Sequence, residues 1–232
     1  MREGEGRLFQ RLDRLADPAD RVAAFTEYLP ARFQFDPNGA TAAPGVRQAC
    51  YLQFLRRWGA DSNGRSGAVL KSWVESRFGL RATYHGGVLS EDPAAREKYD
   101  RDRNWSGAMG VGTQLDLVYA FCQYELARRY PGERWMTLYR GTHDPQEYAI
   151  RSEGALDVSL VELNSLSSFT SDREVAWEFG SSVWEVRIPL AKILFFGGML
   201  PSHFPESEEE HLVLGGEYRV LGGEYRVKKI LW

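Results

Sequence analysis

The chain has 232 residues, a formal net charge of -3 from 29 basic and 32 acidic side chains, and a pI near 5.9. That length suits a single domain with a real core, expected over 1–232. The charges are interspersed and form no basic block, which disfavours a nucleic-acid backbone as partner.

Residues 1–132 read as mainly helical. The first residues, Met1 to Arg7, are polar with no apolar run behind them, so no signal peptide is expected. No apolar stretch approaches the roughly 18 residues of a membrane span, and the cytoplasm is the expected location. Around 48–58, Ala49, Tyr51, Leu52, Phe54, Leu55 and Trp58 give one apolar face. In 68–78, Val69, Leu70, Trp73, Val74 and Phe78 recur at helical spacing. Residues 85–108 carry Gly86-Gly87, Pro93 and mixed charges, which predicts a mobile loop with a short helix. Over 113–130, Leu115, Val118, Tyr119, Cys122 and Leu126 form a stripe, with Thr113 as N-cap and Pro131-Gly132 as the stop. Cys50 and Cys122 lie inside these apolar patterns and are expected as buried thiols; no metal site is expected.

From about 133 to 232 the chain reads as strand-rich. Trp135 to Tyr139 and Leu160 to Thr170 read as strands. Val183 to Ile188 alternates, with Trp184, Val186 and Ile188 on one side, and Pro189 stops it. Leu194 to Phe196 is short and apolar. His211 to Leu214 and Tyr218 to Val220 read as a hairpin around Gly215-Gly216. Helices followed by strands predict an α+β class rather than an alternating parallel sheet. Leu-Gly-Gly-Glu-Tyr-Arg-Val occupies 214–220 and again 221–227, a local duplication too short for a solenoid.

Three short patches carry chemistry. Arg140 in Leu138-Tyr139-Arg140-Gly141 has a planar, permanently charged group that can hold two phosphate oxygens. Gly141 would let its backbone approach a carboxamide. Ser168 and Thr170 are two apart on a strand, so both hydroxyls share a face and can fix a sugar. Ser171-Asp172-Arg173-Glu174 reads as a capping box, with Ser171 as N-cap of a helix through Phe179 to Gly180. Glu208 and Glu210 lie two apart before the apolar Leu212-Val213-Leu214, and carboxylates leading into a buried strand are seldom decoration. Arg140, Ser168 and Glu210 follow in order, 28 and then 42 residues apart.

The ordered triple resembles the Arg-Ser-Glu signature of mono-ADP-ribosyltransferases of the bacterial-toxin type. Over about 46–220 the chain is similar to the dinitrogenase reductase ADP-ribosyltransferase family. The similarity includes Cys50 to Gly59, Gly67 to Leu80, Lys192 to Phe196, Leu200 to His203 and Gly215 to Val220. It implies two roughly perpendicular antiparallel sheets around an NAD cleft. It also implies NAD as substrate and an arginine of the nitrogenase iron protein as acceptor, which would control nitrogen fixation. A PII-type nitrogen-signal protein is an implied partner. By the same resemblance Tyr139, Arg140, Gly141, Ser168, Thr170, Phe179 and Glu210 would bind NAD. Phe204, in the 197–209 loop, would touch the target. Glu210 would stabilise the ribosyl cation and Glu208 would prepare the arginine. An NAD glycohydrolase, a different protein target, and a non-enzymatic protein of the same fold are the competing readings.

Overall fold

A computed structural model gives the fold and describes residues 3–35, 49–105, 108–143, 148–152, 158–200 and 210–225. Helices come first: α1 (Glu3–Leu12), α2 (Pro18–Phe33), α3 (Tyr51–Ala60), α4 (Arg65–Phe78), α5 (Pro93–Arg103) and α6 (Val111–Arg129). The strands follow: β1 (Trp135–Thr142), β2 (Ala149–Ser152), β3 (Val158–Thr170), β4 (Ser182–Pro189), β5 (Ile193–Phe196) and β6 (Glu210–Tyr225). One helical turn, α7 (Arg173–Ala176), sits between β3 and β4. The α+β reading holds.

The long α6 packs against α2, α3 and β5. Its buried face carries Leu115, Val118, Phe121, Cys122 and Leu126, and Phe121 stacks on Phe25 of α2 at 3.9 Å. Buried Gln114 accepts from Tyr51 N–H at 3.0 Å and donates to Ala49 carbonyl at 2.8 Å, fixing the start of α3. Tyr119 and Gln123 donate to the Ala191, Leu190 and Ile193 carbonyls, which ties α6 to β5. Cys50 and Cys122 are buried and in no disulfide, and burial pushes the Cys122 thiol well up, which keeps it inert. The helix begins at Val111 with Gly110 as N-cap. Thr113, expected in that role, bonds back to the Gly110 carbonyl instead.

All strand pairings are antiparallel, in the order β2-β3-β1-β4-β6-β5, with β3 also paired to β6. The pairs β1–β3, β3–β6, β6–β4 and β4–β1 therefore close on themselves. The expected hairpin around Gly215-Gly216 is not there: Glu210–Tyr225 is one continuous strand. Gly215 sits opposite a bulge in β3, between Leu163 and Leu166, where a Cβ would come within 2.2 Å of the Asn164 carbonyl oxygen. Glycine is needed there for backbone approach, not for a turn. The first duplicated copy pairs with β3 and β4, and the second, as far as Tyr225, extends the same strand along β4.

The described part of the segment expected as a mobile insert is packed. Asp92 caps α5 by accepting from Ala94 and Ala95 N–H, and Ala82, Leu89, Ala95 and Tyr99 bury against Ala68 of α4. Beneath them His85 is fully buried, with Lys71 Nζ 3.4 Å from Nδ1, Lys98 Nζ 3.1 Å from Nε2, and Asp102 Oδ2 at 3.7 Å. Burial, then the Lys71 and Lys98 ammoniums, lower the His85 pKa to about 4, against the pull of Asp102. The unfolded chain takes up this proton near 6.5, so the stabilisation is complete above that pH. It is lost as pH falls towards 4. Denaturant titrations from pH 7 to 4.5 should show wild type losing more stability than His85→Gln; equal losses would contradict this assignment.

Candidate active site

Register brings the three patches together. Tyr139 of β1 pairs with Thr170 of β3, and Thr170 pairs with Glu210 of β6. Arg140 is the next residue along β1, and Ser168 lies two back on β3, diagonal to Glu210. Close diagonal neighbours on one face are within reach of long side chains.

Ser168 is the centre of the arrangement. Its hydroxyl donates to Glu210 Oε1 at 2.8 Å and accepts from Trp58 Nε1–H at 2.7 Å. Arg140 braces the same residue from the backbone side, donating Nη1–H to the Ser168 carbonyl at 2.6 Å. Its Nε and Nη2 donate to the Tyr148 hydroxyl at 3.1 and 2.7 Å. The guanidinium also lies 5.7 Å from the Tyr148 ring centroid and 6.0 Å from that of Phe169. Among the described residues three of its five N–H groups are engaged, which leaves two for a ligand.

The remaining expected residues divide. Tyr139, Gly141, Thr170 and Phe179 line one cavity of about 430 Å³ with Arg140, Ser168 and Glu210, within the usual size for small-molecule sites. Phe179 is 56% exposed, unusual for so large an apolar ring, and it borders the cavity. Thr170 is buried, and its hydroxyl oxygen accepts from Asp172 N–H at 3.1 Å, so that lone pair serves the turn rather than a sugar. The helix cap is Asp172, which accepts from Glu174 N–H at 2.7 Å; Ser171 is not the cap, and the helix is a single turn. Gly141 has a structural reason too: a Cβ there would come within 2.0 Å of the Ala176 carbonyl oxygen. Gly141→Ala should therefore push α7 off β1 and cost about 1–3 kcal/mol, measurable by denaturant unfolding. An unchanged midpoint would show that α7 yields freely. Glu208 and Phe204 lie outside the described residues.

Sequence reading missed Trp58 and Tyr148. Trp58 passed as part of an apolar helix face, although a buried indole N–H requires an acceptor. Tyr148 carried no local signal.

The molecule is thus an α+β protein in which a guanidinium, a hydroxyl and a carboxylate, from Arg140, Ser168 and Glu210, line one cavity. Residues 1–228 match the family model "Dinitrogenase reductase ADP-ribosyltransferase (DRAT)", including the segments before 46 and at 85–108. The chain is 40% identical over 228 residues to the "NAD(+)--dinitrogen-reductase ADP-D-ribosyltransferase" of Rhodospirillum rubrum, covering 94% of this chain and 83% of that relative. It belongs to the dinitrogenase reductase ADP-ribosyltransferase family. No solved structure matches it.

Proposed function

We propose that this protein transfers ADP-ribose from NAD to an arginine of dinitrogenase reductase and thereby inactivates it. The family and the Rhodospirillum rubrum relative's name support the activity and the target. The observation that carries the mechanism is the Ser168 hydroxyl on Glu210 at 2.8 Å, with Arg140 on the Ser168 carbonyl at 2.6 Å. In this reading the closed antiparallel strands form an ADP-ribosyltransferase fold around an NAD cleft. Helical and strand-rich parts act as one domain, since one core runs from Leu8 to Val220.

The bond between nicotinamide and the ribose anomeric carbon breaks, and positive charge develops on that carbon and the ring oxygen. Glu210, oriented by Ser168, stabilises the charge. Nicotinamide leaves neutral with the bonding pair. A guanidinium nitrogen of the target forms the new bond, and Glu208 accepts the proton it sheds, because a protonated arginine is no nucleophile. The two remaining N–H groups of Arg140 hold the diphosphate. The Gly141 backbone meets the carboxamide, Phe179 packs on nicotinamide, Tyr139 and Thr170 border the ribose, and Phe204 touches the target. The chemistry uses no metal. The expected PII-type partner is not part of this proposal.

Arg140→Lys should weaken NAD binding about tenfold or more, because a charged hydrogen-bonding fork is replaced by a point charge. The same change removes ties to Tyr148 and Ser168, so the melting temperature should fall as well. Calorimetry showing equal NAD affinity in both proteins would remove Arg140 from the site. For the activity as a whole, nicotinamide release from NAD should require dinitrogenase reductase or proceed much faster with it; release indifferent to that protein would favour a glycohydrolase.

A further inference from the structure

The helical half reaches the chemical centre through the end of α3. Trp58, near the end of α3, is 3% exposed, and its indole N–H is the group 2.7 Å from Ser168 Oγ. A Cβ on the next residue, Gly59, would sit 3.8 Å from Glu210 Oε2, so the α3 backbone flanks the other carboxylate oxygen. The indole plane is itself held: Lys71 Nζ lies 5.8 Å from the ring centroid and donates to the Tyr84 carbonyl at 2.9 Å.

A serine hydroxyl has one hydrogen and can rotate it towards any acceptor, whereas an indole nitrogen only donates. With Trp58 donating into the Ser168 oxygen, that hydroxyl is an acceptor on the α3 side and a donor on the other. Its hydrogen is directed to Glu210, and successive hydrogen bonds polarise one another in a buried chain. We propose that Trp58 is a positioning residue of the transfer reaction, setting the direction of the Ser168 hydroxyl and through it the placement of the Glu210 carboxylate. The inference rests on the Arg-Ser-Glu reading above. It also makes α3 a working part of the site, so the strands alone are an incomplete enzyme.

Trp58→Phe keeps a buried ring and deletes the N–H. In the full chain, assayed for nicotinamide release with NAD and dinitrogenase reductase, kcat should fall about three- to tenfold. KM for NAD should change less than kcat, because the deleted N–H is engaged with Ser168 Oγ rather than offered to a ligand. In a Ser168→Ala background the same substitution should change kcat little, since groups that act through one another are not additive. Replacing Trp58 by its benzothiophene analogue, of the same size but without the N–H, should repeat the drop even where the phenylalanine variant folds poorly. The inference is overturned if the analogue keeps wild-type kcat, or if Trp58→Phe lowers kcat by the same factor with and without Ser168. A wild-type chain that releases no nicotinamide would sink the functional reading and this inference together. An active wild type with uncoupled Trp58 would sink this inference alone.

Discussion

Glu210→Gln should collapse both nicotinamide release and transfer to protein, by about a hundredfold or more. Losing the charge opposite a developing cation costs about 3–4 kcal/mol of transition-state stabilisation. The amide is nearly the same size, and its carbonyl can still accept from Ser168, as Oε1 does at 2.8 Å. The variant should therefore fold and bind NAD normally. Glu208→Gln should behave differently, because it removes the acceptor of the arginine proton and leaves the charge facing the ribose. Transfer should fall more steeply than hydrolysis. The assay is nicotinamide release measured beside label on the target. If Glu208→Gln stops nicotinamide release as thoroughly as Glu210→Gln, the proposed division of labour is wrong.

Arg21→Met should cost about 3–5 kcal/mol of stability, enough to unfold a marginal domain at growth temperature. Arg21 of α2 is 3% exposed and grips Glu125 of α6 with both ends, Nε to Oε1 at 2.6 Å and Nη2 to Oε2 at 3.1 Å. Its Nη1 also donates to the Leu15 and Ala16 carbonyls. Methionine fills the space but leaves a fully buried carboxylate with Arg129 Nε at 3.4 Å as its remaining cation. The double variant Arg21→Met/Glu125→Leu should recover much of the loss, because the unpaired charge goes with its partner. Urea unfolding of the two variants decides it; a double variant no more stable than the single one would show that Arg21 matters through its carbonyl contacts instead.

Much of the architecture was legible in the sequence because periodicity reports burial directly. The apolar stripes of α3, α4 and α6 and the alternation of β4 each name a face turned to the core. Arg140, Ser168 and Glu210 were legible as a set because their order along the chain matches a known signature. Cap and turn chemistry was less so. Gly215-Gly216 between apolar runs is the ordinary signal of a hairpin, and only the bulge at Asn164-Ser165 on the neighbouring strand makes it a point of close approach. Ser171 and Asp172 are both cap residues, and the local pattern does not choose between them. Thr170 looked free to meet a sugar until the turn claimed its oxygen. Arg21–Glu125 and Trp58–Ser168 join residues 104 and 110 apart in the chain, and no local pattern carries such a pairing.

The central claim is that one site both cleaves NAD and delivers ADP-ribose to an arginine of dinitrogenase reductase. It is tested most directly by incubating the purified chain with purified dinitrogenase reductase and NAD labelled in the ADP-ribose part, then mapping the label by peptide mass spectrometry. The account predicts label on an arginine side chain of dinitrogenase reductase, matched by released nicotinamide and absent with Glu210→Gln. Release of nicotinamide with all of the label as free ADP-ribose, or label undiminished by Glu210→Gln, would contradict it.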